Sequence, residues 1–94
     1  MLEISREASG TILLSGRFDA SQAEKAKGIL LALQEGATLD FQNLDYISSA
    51  GLGVLLAAQK VLQPRGQALR LINVHSHIKD VFHFSGFDQI FEIA

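Results

Sequence analysis

The sequence contains no cysteine among its 94 residues. Without cysteine the chain can form no disulfide framework, and it offers no thiolate as a nucleophile or a metal ligand. The absence excludes redox chemistry through thiols, and it suits a protein that works in a reducing compartment.

Charge of neither sign dominates the sequence. Eight basic residues stand against ten acidic ones, which gives a formal net charge of -2 at pH 7. Binding to nucleic acid requires a concentrated positive face, and the basic residues here are scattered, with only Lys25 and Lys27 close together. We therefore expect a protein or a small molecule as the partner, and no nucleic acid.

The sequence also lacks a long hydrophobic run. Its uncharged apolar stretch 50–58 is far shorter than the roughly 20 residues that cross a bilayer. The opening MLEISREASG carries charges at Glu3, Arg6 and Glu7 and does not have the form of a secretory signal. We expect a soluble cytoplasmic protein that does not enter the membrane.

Hydrophobic residues make up 48% of the chain, which is enough for one core, and we expect residues 1–94 to form a single domain.

The first elements are predicted to form a hairpin. Alternating residues 2–7 and the aliphatic run 11–15 are separated by a turn at Ser9 and Gly10. Gly16 is expected to end the second strand.

A helix is predicted from Asp19 to about Glu35. Ser21 and Glu24 have the S-x-x-E spacing of a capping box, and Gly36 is expected to stop the helix. The apolar stripe that predicts the helix consists of Ala23, Ala26, Leu30 and Leu33.

Strands and helices alternate in the rest of the chain. The predicted elements are a strand at 37–41, a helix from about Ser49 to Leu62, a strand at 68–74, a third helix capped by Ser76 and ended by Gly86, and a last strand at 90–94. Strands separated by helices need crossover connections, which make a sheet parallel. The predicted class is α/β, with a mixed four- to five-stranded sheet, an N-terminal antiparallel pair, and about three to four helices covering it.

Two serines precede the second predicted helix, in the stretch YISSAGLGVLLAA (46–58). On an ideal helix one face carries an apolar stripe suited to packing on a sheet: Gly51, Val54, Leu55, Ala58, Val61 and Leu62. The other face carries Ser49, Leu52, Gly53, Leu56, Ala57 and Lys60. A solvated face should be mostly polar, so we expect this one to bind a partner. The alternative is a helix buried on both sides within a larger core.

A serine at a helix start is most often a cap, whose oxygen accepts a hydrogen bond from a free backbone N–H. The same position tolerates a phosphate, which would bring about -1.5 to -2 charges to an uncharged apolar face. Such a charge would oppose docking through repulsion and desolvation. The two roles can coexist at this loop, and the single Tyr46 is expected to pack beneath it.

The run L-D-Y-I-S-S-A-G-L-G-V-L-L-A-A (44–58) closely resembles the signature of anti-sigma factor antagonists, the single-domain STAS proteins of bacterial partner-switching pathways. Three other segments, 15–19, 69–74 and 81–91, match in the family's order. The resemblance implies a protein without enzymatic activity or cofactor. In the family, a serine kinase that doubles as an anti-sigma factor binds the unphosphorylated antagonist, phosphorylates the motif serine and releases it. A PP2C-type phosphatase removes the phosphate.

The register of the match places the phosphate acceptor at Ser49, two residues before Gly51. Asp19 matches an aspartate near the family's partner-binding surface, and a cap for the first helix is its alternative role. Ser48 and Ala50 stand where a common form of the motif has an aspartate and a second hydroxyl residue. This departure leaves the adjacent Ser48 as a second candidate acceptor.

Other functions stay open as alternatives. A constitutive STAS subunit of a transporter or signalling assembly would use its serine only as a cap. A hydrolytic triad of Ser49, His83 and Asp45 lacks the G-x-S-x-G nucleophile pattern. His75 and His77 form an H-x-H pair, but no third ligand stands at a convergent spacing, so no metal site is expected.

Overall fold

The computed structural model describes residues 1–94, which form one five-stranded sheet whose strand order follows the chain. The strands are β1 (Leu2–Arg6), β2 (Ile12–Phe18), β3 (Ala37–Ile47), β4 (Leu69–Ile72) and β5 (Glu92–Ile93). The α-helices are α1 (Ala23–Leu30), α2 (Ser49–Leu62) and α3 (Ser76–Ser85). β1 and β2 pair antiparallel and the other neighbours pair parallel, which confirms the predicted mixed α/β class.

The long strand β3 keeps its apolar side chains on one face by means of two irregularities. Leu39, Phe41, Leu44 and Ile47 are buried although their spacing is two, three and three residues rather than a constant two. The β2–β3 register shifts between Leu13 and Ser15 and again between Gly16 and Arg17. Each extra residue reverses the alternation of side chains, so the buried face is restored after each shift.

One face of the sheet carries all three helices. The parallel strands β2 to β5 advance in one direction, and right-handed crossovers then place every connecting helix on the same side. Burial agrees with this arrangement, because Glu3, Arg17, Asn43, Tyr46 and Arg70 on the other side are exposed. The helices and the inner sheet face share one cluster of buried hydrophobic residues.

The hairpin and the first helix differ from their predicted bounds. Gly16 does not end β2. It lies at the second register shift between β2 and β3 with a φ of 93°, and its missing Cβ leaves room for the Met1 carbonyl. The helix ends at Leu30 rather than about Glu35. The chain after it turns back to the sheet, where the Gly36 N–H donates to Gln67 Oε1 at 3.0 Å.

The predicted caps are partly wrong. Ser21 and Glu24 form no capping box, because a 3-10 turn at Ala20–Gln22 precedes α1. Ser76 is not the cap of α3 either, since the extended residue before that helix is His75. Gly86 does end α3, in the left-handed conformation with φ of 79°.

The last two strands are shorter than predicted, while α2 has the predicted bounds. One buried polar side chain fixes the far half of α2. Gln59 is 3% exposed, accepts from the Leu69 N–H at 2.8 Å and donates to the Ile90 carbonyl at 3.0 Å. These two hydrogen bonds tie α2 to the start of β4 and to the segment before β5.

Candidate functional site

The serine loop lies where the carboxyl ends of β2 and β3 meet the amino end of α2. Phe18 and Ile47, the last residues of the two strands, are paired in the sheet. The Ser48 N–H continues this ladder by donating to the Phe18 carbonyl at 2.9 Å. Asp19 directly follows Phe18, so the sheet brings both predicted segments of the binding surface to the same edge.

Ser48 is the cap of α2. Its backbone is extended, and its hydroxyl oxygen accepts from the Gly51 N–H at 3.1 Å. The same hydroxyl donates to the Phe18 carbonyl oxygen at 3.2 Å. Both hydrogen-bonding functions of this half-buried side chain are therefore used within the domain.

Ser49 is the first residue of α2 and is exposed. Its hydroxyl makes no hydrogen bond within the domain, in contrast to that of its neighbour. The loop thus contains one serine bound into the fold and one whose oxygen faces solvent.

The two glycines that follow the serines have opposite surroundings. A Cβ added at Gly51 would lie 2.9 Å from both the Phe18 carbonyl oxygen and Ile47 Cγ1, closer than real Cβ atoms approach such neighbours. A Cβ at Gly53 would meet no atom within 4 Å. Gly51 is therefore required by packing inside the domain, whereas the domain itself gives no reason for a glycine at position 53.

The outer face of α2 is narrower than predicted. Gly53 and Lys60 are exposed, and Leu56 and Ala57 are half-buried. Leu52 is 4% exposed, so its predicted place on the open face is wrong. The prediction from an ideal helix took only packing on the sheet into account. In the structure, α1 and the 3-10 turn before it also pack against α2 and cover one flank of it. The alternative of a helix buried on two sides is in this respect partly correct.

One residue that was predicted to pack on the sheet is more exposed than expected. Val61, in the last turn of α2, is 36% exposed although it was assigned to the sheet side. The remaining members of that stripe are buried, as predicted: Gly51, Val54, Leu55, Ala58 and Leu62.

Asp19 caps the 3-10 turn that leads into α1. Its carboxylate accepts from the Ser21 hydroxyl at 2.6 Å and from the Ser21 N–H at 3.1 Å. These hydrogen bonds, the one from the hydroxyl first, together with the positive charges of the amino terminus and of Arg17, hold the pKa of the Asp19 carboxyl below its ordinary value. The capping role is thus present, while a contact of Asp19 with a partner stays a prediction.

Tyr46 does not lie under the serine loop. Its side chain is 39% exposed on the helix-free face of the sheet, and the Arg17 guanidinium carbon lies 4.3 Å from its ring centroid. The prediction is wrong because the second register shift turns position 46 outward and leaves Ile47 facing the core.

The three histidines serve as hydrogen-bonding groups. Nε2 of His75 lies 2.7 Å from the Gln42 carbonyl oxygen, Nε2 of His77 lies 3.0 Å from the Asp45 carbonyl oxygen, and Nδ1 of His83 lies 3.0 Å from the Asp88 carboxylate. The structure contains no group of three or more His, Asp or Glu side chains that could hold a metal ion.

Sequence reasoning missed two residues that shape the site. The Phe18 carbonyl receives both hydrogen bonds from Ser48 and leaves no room for a Cβ at Gly51, and a backbone acceptor has no signal in the sequence. Gln59 did have a signal, because it is a polar residue on the otherwise apolar side of α2.

The site is a surface and not a pocket. The largest cleft, of about 800 Å³, lies elsewhere, between the β1–β2 turn and the starts of β3 and β4. No helix in the structure has the length and apolarity needed to span a bilayer. The arrangement of an exposed hydroxyl beside an open helix face suits protein binding better than enclosure of a small molecule.

A family model described as Mlab, STAS domain, matches residues 2–92 of the chain. The chain belongs to the STAS domain family. BtrV of Bordetella bronchiseptica, which is named as an anti-sigma factor antagonist, is 38% identical over 85 residues, covering 86% of this chain and 73% of BtrV. An anti-sigma-B factor antagonist of Listeria monocytogenes is 35% identical over 86 residues, covering 87% of this chain and 75% of that protein.

Solved structures share the fold of this STAS domain. The anti-sigma factor antagonist SpoIIAA in its unphosphorylated form aligns with a TM-score of 0.70 at 18% identity, over 89% of this chain and 83% of that one. Bacillus SpoIIAA in its phosphorylated form gives 0.70 at 19% identity, over 100% and 91% of the chains. A sulfate transporter family protein of Wolinella succinogenes gives 0.70 at 22% identity, over 82% and 66%.

Proposed function

We propose that this STAS domain is an anti-sigma factor antagonist of a partner-switching pathway. It binds a serine kinase that acts as an anti-sigma factor while Ser49 is unmodified, and phosphorylation of Ser49 ends the binding. A PP2C-type phosphatase restores the binding form. The domain acts in the cytoplasm as a binding module without enzymatic activity of its own.

The observation that carries the proposal is the contrast between the two adjacent serines. The Ser48 hydroxyl is engaged by the Gly51 N–H and the Phe18 carbonyl, whereas the Ser49 hydroxyl is exposed and unbonded. A kinase must extract its acceptor hydroxyl from any competing hydrogen bonds, and removal of a cap costs about 1 kcal/mol of stability. These facts favour Ser49 over Ser48 as the acceptor.

The proposed partner surface consists of Asp19, Ser48, Ser49, Gly53, Leu56, Ala57 and Lys60. Its two segments follow the paired strand ends Phe18 and Ile47, and only Asp19 and Lys60 among its residues carry formal charge. A phosphate on Ser49 would place a doubly charged group at the edge of this surface without touching the core. The fold is expected to survive the modification, because Ser49 makes no internal bond that the phosphate would break.

Binding of the cognate serine kinase, measured by calorimetry, tests the proposal. We expect Ser49→Ala to bind as the wild type does and Ser49→Asp to bind at least tenfold more weakly, a loss of about 1.4 kcal/mol. Ser5→Asp adds the same charge at an exposed position on β1 and serves as the matched control, with unchanged affinity expected. Equal affinity of Ser49→Asp and wild type, with all variants folded, would refute the switch.

A second function is a constitutive STAS subunit of a transporter or signalling assembly. The likeness to the sulfate transporter family protein supports this alternative at the level of the fold. Such a subunit would remain in a stable complex whatever residue stands at position 49. Recovery of the same complex with wild type and Ser49→Asp would favour it over the switch.

A further inference from the structure

We propose that His75 and His77 are positioning residues that hold the end of β3, and with it the serine loop, in register. The proposal concerns the H-x-H pair, which the proposed function does not use. Its effect on phosphorylation rests on that function, but the positioning itself does not.

β3 extends well beyond its neighbour on one side. Pairing with β4 ends at Asp40 and Ile72, whereas β3 continues to Ile47 and pairs with β2 along its other edge up to that residue. The last part of β3 therefore has no strand on its β4 side. A strand edge without a partner opens more readily than one paired on both sides.

The two histidines occupy that edge. His75 precedes α3 and His77 lies in its first turn, and their Nε2 atoms reach the carbonyl oxygens of Gln42 and Asp45 at 2.7 and 3.0 Å. A carbonyl oxygen can only accept, so each Nε2 must carry a proton. Nε2 can donate both in this neutral form of the ring and in the positively charged form, because both ring nitrogens carry a proton in the charged form.

The two histidine rings also contact each other. The rings of His75 and His77 stack with centroids 5.9 Å apart and an interplanar angle of 14°. Their donors contact β3 at positions three residues apart, immediately before the loop that holds Ser48. The stacked pair thus joins the amino end of α3 to the strand that positions Ser49. Its two Nε2 donors bind carbonyl oxygens that a neighbouring strand would otherwise bind with its N–H groups.

This role predicts a local effect at the Ser48 amide, whose N–H donates to the Phe18 carbonyl at 2.9 Å. If the histidine side of β3 is released, that hydrogen bond should open more often. We expect the combined His75→Leu and His77→Leu variant to exchange the Ser48 amide hydrogen at least tenfold faster than the wild type. The combined His75→Gln and His77→Gln variant should restore protection, because the glutamine amide can donate from a position close to that of Nε2.

His83→Leu is the matched control, since His83 lies at the other end of α3 and contacts Asp88. It should leave exchange at Ser48 unchanged. If the double leucine variant does not fold, His77→Leu alone takes its place and should give a smaller increase at the same amide. Side-chain nitrogen resonances should also show protonated Nε2 in His75 and His77.

Phosphorylation of Ser49 by the kinase gives the functional part of the test. We expect the leucine pair to slow phosphorylation and the glutamine pair to recover it. Unchanged Ser48 exchange in the leucine variants would overturn the positioning role, and this readout needs no kinase. If the leucine variants exchange the Ser48 amide faster but the kinase does not phosphorylate the wild type, the positioning role is upheld. That result would count against the proposed function alone.

Discussion

On the inner side of the first turns of α2, Ser48 and Gly51 are held against Phe18, whereas on the outer side Ser49 and Gly53 face open space. Both sides contain one serine and one glycine. The inner pair satisfies the helix start and allows the helix to approach the strand ends. In the outer pair, the Ser49 hydroxyl makes no hydrogen bond within the domain, and no atom lies within 4 Å of the position of a Cβ at Gly53.

This contrast shows that one short motif combines two requirements. The inner residues specify how α2 meets the sheet, and their replacement should change stability. The outer residues are free of such constraints, and a glycine in an exposed helix interior lowers stability by about 0.5–1 kcal/mol relative to alanine. At Gly53 the missing side chain leaves the helix backbone one turn after Ser49 open to close approach from outside the domain.

The largest effect is expected for Gly51→Ala. Its Cβ would lie 2.9 Å from the Phe18 carbonyl oxygen and from Ile47 Cγ1, so the helix or the strand ends must shift. We expect a loss of about 1–3 kcal/mol in the free energy of unfolding, measured with urea. A variant as stable as the wild type would show that the inner side is not tightly packed.

Replacing each of the two serines should change the free energy of unfolding by different amounts in the same urea assay. Ser48→Ala removes the cap and the hydrogen bond to Phe18, for an expected loss of about 1 kcal/mol. Ser49→Ala is its matched control and should remain within about 0.5 kcal/mol of the wild type. Equal losses in the two variants would remove the distinction between the inner and the outer serine.

Gly53→Ala should raise stability by up to about 1 kcal/mol, because nothing within 4 Å opposes the new methyl group. Under the proposed function it should also weaken kinase binding, since the methyl group would block close approach to the helix. Gly28→Ala in α1, equally open, should give the same stabilisation without a change in affinity. Full kinase affinity of Gly53→Ala would exclude close approach at that position.

The smallest effect concerns Asp19 and pH. Its pKa is lowered in the folded state from an ordinary value of 3.8, so its stabilising contribution is present above that pH and is lost as the pH falls through the folded pKa. Asp19→Asn keeps a capping oxygen but cannot titrate. The stability difference between wild type and variant should therefore shrink in urea unfolding below pH 3.8, and a constant difference would contradict the assignment.

The bounds of α2 and the end of α3 at Gly86 could be predicted because local chemistry determines them. Apolar periodicity defines the bounds of α2, and the left-handed conformation of a glycine defines the end of α3. The mixed sheet followed from the alternation of strands and helices, which depends on chain order more than on side-chain detail.

The mistaken predictions concern features that depend on neighbours in space. Tyr46 points outward because of a register shift that arises between β2 and β3, and Leu52 is buried on a helix flanked by α1 as well as by the sheet. The division of roles between Ser48 and Ser49 depends in the same way on the Phe18 carbonyl, 30 residues earlier in the chain. Periodicity along a single element carries no information on such contacts.

The most direct test of the central claim is the intact mass, with fragment mapping, of the protein after incubation with ATP and its cognate serine kinase. Wild type, Ser48→Ala and Ser49→Ala should be compared under identical conditions. We predict one added phosphate on the wild type and on Ser48→Ala, and none on Ser49→Ala. A phosphate that persists in Ser49→Ala and disappears in Ser48→Ala, or no phosphate on any variant with a kinase active on another substrate, would contradict the account.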